Sequence, residues 1–482
     1  MNAGTRLFES PPKIFFRWGV ICFILFSLFT LNLPFYGDHV SIISAPANYI
    51  FDTGFRSLVL PHDLDTGHPP FYALAHAGLW KIFGRDLWVS HFISLSAALF
   101  LLNQFRLFCK NNISENAQKI AIVFFVLQPT VLAQISLMSS DILLCGLFLW
   151  GLNAIQKNNF LTLLFAIAFL LLTSVRGIIL TGFLFIALFY FSDQLKQKFK
   201  KYLLIFFAGI LPGCSWYLFH YFKTGWFLTN PQSPWAAGRA FIGLSAFPAA
   251  VFEYVFRYIE FGMIIPWLII LFCNKKIRHD NISKKTAFFL LTGFLFFSFF
   301  LIFFKNPVMI RYILPVQIIA LILCARSIAS FSKSKFKKIA ISSCILIFIA
   351  QHFFAYPQMN SSVFEYSWGE GSLAHLSYFK FRKEGANYFA THHIDPDLVH
   401  TGFPEYKSFK NTNLDTSCQR AYLPFEESEM GAYPYVIYSN IMNGISKTAE
   451  TALKTRWIRC ETWYAYPVEY IIFQNPETIK NY

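Results

Sequence analysis

The chain has 482 residues, is 55% hydrophobic and only 14% charged, contains 59 phenylalanines and carries a formal net charge of +15. A soluble chain carries about a quarter charged residues, so the composition excludes an ordinary soluble globule. The positive charge is not a nucleic-acid signal: 30 Lys and Arg stand against 12 Asp and Glu up to Ala355, but 11 against 14 from Tyr356 onward.

The excess of cations therefore lies among long apolar runs, where short cytoplasmic loops collect Lys and Arg. Only helices and closed barrels satisfy their backbone in lipid, and barrel strands alternate in polarity. These runs do not alternate, so the fold class expected is a polytopic α-helical membrane protein. About eleven spans are predicted: Phe15–Leu33, Leu87–Phe108, Lys119–Ile135, Ile142–Ile155, Phe160–Ser174, Gly177–Phe191, Tyr202–Phe222, Tyr254–Cys273, Ala287–Phe304, Tyr312–Ala329 and Ile339–Ala355. The first run lacks a small-residue cleavage site and reads as a retained anchor.

Alternate loops hold Lys110 with Lys119, then Lys157, then Lys196, Lys198, Lys200 and Lys201. Next come Lys275, Lys276, Arg278, Lys284 and Lys285, then Lys333, Lys335, Lys337 and Lys338. All five groups fall on one side if the N-terminus is cytoplasmic. The expected domains are then a transmembrane unit, 1–355, with a first external loop at 34–86, and a small extracytoplasmic α/β domain at 356–482. In that tail Tyr433–Tyr438 and Tyr470–Phe473 read as strands, and Ser377–Thr391 and Ser446–Thr455 as helices. Cys418 and Cys460 are the two cysteines of the tail and have the option of one disulfide; the other seven lie in or beside apolar segments, where Cys behaves as a small hydrophobe.

The first external loop is not a plain connector. Val40–Phe51 has apolar residues at helical spacing, and Pro69–Phe83 is apolar but too short to span comfortably. Both read as helices lying at the membrane surface or re-entering it. His68-Pro69-Pro70 suits a helix start, since first-turn amides need no partner.

Acids near the membrane are expensive and mark function. Asp38, after the first span, and Asp141, at the mouth of the third and fourth spans, lie on one side. Two such carboxylates are able to divide the roles of general base and positioning group. Each also has a plainer reading: Asp38 as a turn residue after Gly37, Asp141 as an N-cap. External cations form a second group, Arg56, His68, Arg176, Arg239 and Arg311. Each is able to pair with a phosphate or to snorkel to headgroups. The histidines His39, His62, His68 and His76 show no ligand spacing backed by an acid, so no metal site is assigned. No phosphate-binding loop, CxxC pair or HExxH is present.

Several features occur in one order. An Asp follows the first span, then come surface helices, GHPPFYALAHAGLWKIFG, a second-loop Asp, PGCSWYLFHYFKTG and RYILPVQ. In this order the chain resembles the GT-C class of polyprenyl-phosphate-sugar glycosyltransferases, which includes the protein O-mannosyltransferase-like family and the lipid A aminoarabinose transferases. The resemblance covers roughly residues 15–355. It implies a catalytic base at Asp38, a second acid at Asp141, and donor-phosphate contacts at His68 and Arg311. Beside these, Arg56 is a further candidate cation for the phosphate, and His39 and Tyr312 are candidate supporting residues. His68 stands where relatives usually carry Lys, and His39 where many carry a second acid. His titrates near neutrality, so the phosphate contact becomes pH-dependent.

The implied activity is an inverting transfer from a polyprenyl-phosphate-linked sugar to a glycan, lipid or protein acceptor. It takes place on the extracytoplasmic face of the cytoplasmic membrane. No cofactor is called for; a need for divalent metal is left open. A transporter or flippase of a lipid-linked or anionic solute would use similar charges, but should show repeat symmetry and helices interrupted at the midplane. The sequence contains no detectable repeat.

Overall fold

The structure is a computed structural model and describes residues 11–232, 234–272, 281–305, 308–353, 370–416, 421–442 and 444–478. Cys273, Lys275, Lys276, Arg278, the last two residues of the eleventh expected span and Cys418 lie outside the described residues. The proposed cysteine pairing therefore falls outside them as well.

Each of the eleven predicted spans falls on helix. In chain order the helices are α1 (Pro12–Thr30), α2 (Ala45–Asp52), α3 (Phe71–Phe83), α4 (Leu87–Asn112), α5 (Glu115–Leu127) and α6 (Pro129–Ser136). Next come α7 (Ser140–Gln156), α8 (Phe160–Thr173), α9 (Arg176–Phe191), α10 (Leu195–Thr224), α11 (Phe247–Ile259), α12 (Ile264–Phe272), α13 (Asn281–Leu301), α14 (Leu314–Ala329) and α15 (Ser334–Gln351). Among the described residues five helices can cross a membrane by length and apolarity: α1, α4, α10, α13 and α14 with its leading turn, Ile310–Ile313. The number is seven if α5–α6 and α11–α12 are each one bent crossing. Helices α7, α8 and α9 are apolar but have 17, 14 and 16 residues. Helix α15 carries Lys335, Lys337 and Lys338 in its first turns.

Two expected single spans are broken. Lys119–Ile135 bends by 49° between α5 and α6. Pro129 lacks the N–H that would continue the helix, and the Gln128 side chain caps the new start by accepting from Val131 N at 2.6 Å. Tyr254–Cys273 turns through 87° between α11 and α12. There Phe261 and Gly262 both take left-handed backbone, at φ 48° and 81°, which no helix continues through.

Helices are present at both stretches of the first loop where they are expected. Helix α2 follows a π-helical turn at Val40–Ser44, and α3 starts right after Pro70, whose carbonyl accepts from Leu74 N at 2.7 Å. Both pack on a small core of their own with Phe35, Tyr72 and Trp80. Helix α14 is apolar all round and correspondingly buried on nearly every side.

The tail folds as a five-stranded mixed sheet in the order β2 (Leu423–Pro424), β1 (Val399–Thr401), β3 (Tyr435–Ser439), β5 (Val468–Gln474), β4 (Ile458–Ala465). Strands β1 and β2 are parallel, as are β1 and β3; β5 runs antiparallel to β3 and β4. Period-two alternation divides the sheet's faces. Val436, Tyr438, Ile471 and Phe473 pack beneath α17 (Lys447–Arg456). Ile437, Tyr470 and Ile472 face α16 (His375–Thr391) and join the core of the helical bundle through Tyr378 and Phe379. Tyr36, just after α1, donates to the carbonyl of Ile441 at 2.7 Å.

Candidate functional site

Helices α7 and α9 and the turn Ile310–Ile313 that leads into α14 begin at one end of the bundle. At the other end α7 and α14 run into turns that carry Lys157 and Lys333, and α9 into the short turn before Lys196 of α10. Helix α7 is capped by Ser139, whose hydroxyl accepts from Asp141 N at 3.1 Å. The cap is therefore Ser139, and the Asp141 carboxylate is left for other partners. Arg176, the first residue of α9, donates to it at 2.9 and 3.0 Å. Asp38 follows Gly37, whose φ of 59° makes the turn. Asp38 is thus free to point its carboxylate inward.

These groups meet at Arg311, one of the largest fully buried side chains in the protein. Its Nη2 donates to Asp38 Oδ2 and its Nη1 to Glu370 Oε2. Its Nε faces Asp141 Oδ2 at 3.4 Å. The Tyr312 ring lies beside both cations, 4.6 Å from the Arg176 guanidinium and 5.3 Å from that of Arg311. Three carboxylates and two guanidiniums share one buried cluster. Removing ions from water is costly unless the pairing is close, and here every carboxylate has a cation.

Glu370 belongs to the stretch that enters α16. Gln134 of α6 donates to its carbonyl at 2.7 Å, and Thr130 donates to that of Gly371 at 3.4 Å. The Ser136 hydroxyl and His375 Nε2 share a 2.8 Å hydrogen bond. The short helix made by the break at Pro129 is what anchors this segment. Burial pushes the Glu370 carboxyl up to about 7 against the opposing pull of Arg311. Tyr406 and Lys407 of the tail both feel the charge of Asp38.

His68 Nδ1 lies 2.9 Å from Ser174 Oγ, and that oxygen also accepts from Arg176 N at 3.3 Å. Burial, then the charges of Arg176, Arg239 and Arg311, hold His68 well below the usual imidazole range. Its loop is pinned by Asp65, which accepts from Gly67 N at 2.9 Å and pairs with His220 Nε2 of α10 at 2.8 Å. Arg239 closes the same loop by donating to Leu228, Thr229 and Thr66. Gly67 has φ 80°, and a Cβ there would run into the Leu228 carbonyl.

Beside the cluster lies a cavity of about 20 Å³ lined by Asp141, Arg176, Arg311 and Tyr312. That is room for a single water. An apolar groove of about 650 Å³ runs between α8, α9 and α10, lined by Leu171, Ile178, Phe185, Phe206, Tyr217 and Phe227 among others. It starts within three residues of Ser174 and two of Arg176.

The sequence matches no protein-family model and no curated protein. The structure does match solved ones. ArnT from Cupriavidus metallidurans bound to undecaprenyl phosphate superposes with a TM-score of 0.56 at 12% identity, over 95% of this chain and 97% of that one. The apo form of that ArnT gives 0.53 at 11% identity, over 96% and 98%. The chain has an ArnT-like fold. The expected GT-C architecture is therefore present.

Within the ArnT-like fold, Asp38, Asp141, Arg311 and Tyr312 come together. His39 is adjacent, its Nε2 3.4 Å from Gln134 Oε1, with burial and then Arg311 and Arg176 lowering its basicity. His68 joins through Ser174 rather than by touching Arg311. Arg56 is exposed in the turn after α2 and makes no ion pair among the described residues. His62 is exposed, and His76 is buried in α3 on the Tyr72 carbonyl. Among the described residues no cluster of His, Cys, Asp and Glu has the geometry to hold a metal ion. Sequence reasoning missed Glu370, which only the flanking glycines of WGEGS mark. It also missed the pairing of Arg176 with Asp141.

Proposed function

We propose that this protein is a membrane glycosyltransferase that moves a sugar from a polyprenyl-phosphate carrier to an acceptor, with Asp38 as general base. The observation that carries this reading is the buried Asp38–Arg311 pair at a helix-lined site; an apolar groove lies on the face of α9 away from Arg176, Ile179 and Leu180. A carrier lipid needs both: a cation for its phosphate and a dry channel for its tail. ArnT was solved with undecaprenyl phosphate, and a ligand of that class fits this combination.

In the proposed reaction the donor phosphate lies against Arg311, with Arg176 and His68 close by, and the prenyl chain in the groove. Asp38 removes the proton from an acceptor hydroxyl or amine. The acceptor attacks the anomeric carbon, the bond to the phosphate oxygen breaks, and that oxygen leaves with the electron pair. Arg311 stabilises the charge that develops there. Attack opposite to departure inverts the anomeric centre. Asp141, tied to Arg176, orients the cations, and Tyr406 and Lys407 of the 356–482 domain face the acceptor side. The Lys-rich turns at the far end support a site on the extracytoplasmic face, with a cytoplasmic N-terminus.

The test is label transfer from a radioactive polyprenyl-phosphate-sugar pool in membranes containing wild type, Asp38→Asn or Arg311→Ala at matched expression. Transfer by wild type alone supports the reading. The interrupted helices at Pro129 and Phe261 favour one rival, a flippase of lipid-linked solute. That rival takes over if no sample transfers label while wild type alters the sidedness of the carrier.

A further inference from the structure

Both terminal nitrogens of the Arg311 guanidinium donate to carboxylates, Nη1 to Glu370 and Nη2 to Asp38, while Nε lies 3.4 Å from Asp141 without a hydrogen bond. A phosphate that binds Arg311 in the usual two-pronged manner must displace a carboxylate. Asp141 is held independently by Arg176 and by the Ser139 hydroxyl at 3.2 Å. Asp38 has to remain as base. Glu370 differs from both. Its backbone is fixed by Gln134 and Thr130, whereas Arg311 is the one ion-pair partner of its carboxylate among the described residues. Three rotatable bonds separate that carboxylate from the anchored chain, so the side chain can leave Arg311 without moving the fold.

We propose that Glu370 is a displaceable counter-ion, which occupies Arg311 in the empty enzyme and yields that place to the donor phosphate. The proposal rests on the reading that Arg311 binds this phosphate. In the exchange one carboxylate withdraws and one phosphate group enters, so Arg311 keeps an anionic partner throughout. Without Glu370 the empty site would leave Arg311 under-compensated and open to any small anion. With it, an anion must bring binding energy from elsewhere, which a prenyl chain in the apolar groove supplies. Specificity then comes partly from the competitor built into the site.

The experiment measures undecaprenyl phosphate affinity of the full chain in lipid nanodiscs at pH 8, for wild type, Glu370→Gln, Glu370→Asp and Arg311→Ala. If Glu370 holds Arg311 for about nine-tenths of the time in the empty protein, freeing it tightens apparent binding about tenfold. Glu370→Gln should show that gain. Glu370→Asp, a shorter acid with less reach, should show part of it and serves if the amide variant folds poorly. Unchanged or weaker binding by both variants, with Arg311→Ala still abolishing it, overturns the counter-ion and leaves the glycosyltransferase reading intact. Binding by Arg311→Ala equal to wild type overturns the phosphate role of Arg311 and this proposal with it.

Discussion

Asp38 and Arg311, 273 residues apart in the chain, are joined in a buried ion pair. A pair this distant in sequence makes the end of α1 and the start of α14 into one site. Arg311 also neutralises Glu370 and faces Asp141, so its removal leaves three acids around a single remaining cation, Arg176. Breaking a buried pair from one side costs about 3–5 kcal/mol. Arg311→Ala is therefore expected to lower the melting temperature of the purified protein as well as abolish transfer. Arg311→Lys keeps the charge but loses the fork, and should recover stability more than activity. Equal melting of Arg311→Ala and wild type would refute the cluster's role in holding the fold.

The pH dependence of stability follows from Glu370. Its carboxyl is raised to about 7 in the folded protein, burial being the main cause, whereas a free glutamate titrates near about 4.3. Between those values the folded state holds the proton and the unfolded state does not. Stability must then fall as pH rises through that window. The charges acting on Glu370 are Arg311, which favours ionisation, and Asp38 and Asp141, which oppose it. Glu370→Gln should melt at a temperature that changes less than wild type between pH 5 and pH 8. Parallel pH profiles for the two proteins would contradict the assignment.

Gly37 makes the turn that brings Asp38 inward, and a Cβ on it would overlap Glu370 Oε1. With φ at 59°, any side chain is also strained by about 1–2 kcal/mol. Gly37→Ala should therefore destabilise the fold and expel Glu370 from its place. Thermal unfolding reads the first effect and donor affinity the second. An alanine variant indistinguishable from wild type in both would mean that the turn and the cluster are not coupled.

Much of the bundle was legible because uninterrupted apolar runs leave lipid-compatible helix as the one solution, and each expected span lies on helix. The two breaks were harder. Pro129 was visible, but a proline also sits inside α10 at Pro212 without ending that helix, so tertiary packing decides between a tolerated proline and a stop. The bend at Phe261 arises from left-handed backbone that no apolar count reveals. In the tail, β3 and β5 were readable from β-branched and aromatic runs. Strand β1 has three residues and β2 two, too few for any pattern, and the exposed edge strand β4 lacks a buried face. Asp38, Asp141 and Arg311 could be named because acids and arginines beside apolar runs are rare. Glu370 could not, since acids are common in a polar tail and its partner lies across the fold. Arg56 shows the converse: a cation in the right loop whose side chain lies exposed after α2.

The groove between α8, α9 and α10 makes the donor's lipid length a testable variable. Its volume is about 650 Å³, and Leu203, near the start of α10, lines it at the end away from Arg176. Leu203→Trp places an indole in the path of the chain without touching the Asp38–Arg311 cluster. Each buried methylene of a lipid contributes about 0.8 kcal/mol, so blocking a few is expected to lower kcat/KM for a long-chain polyprenyl donor by about tenfold or more. A donor of geranyl length ends before the obstruction and should be transferred nearly as well by the variant as by wild type. The measurement is kcat/KM for both donors with both proteins. A loss of the same size for the short and the long donor would mean that the tryptophan disturbs the charged site, and that the prenyl chain takes another route.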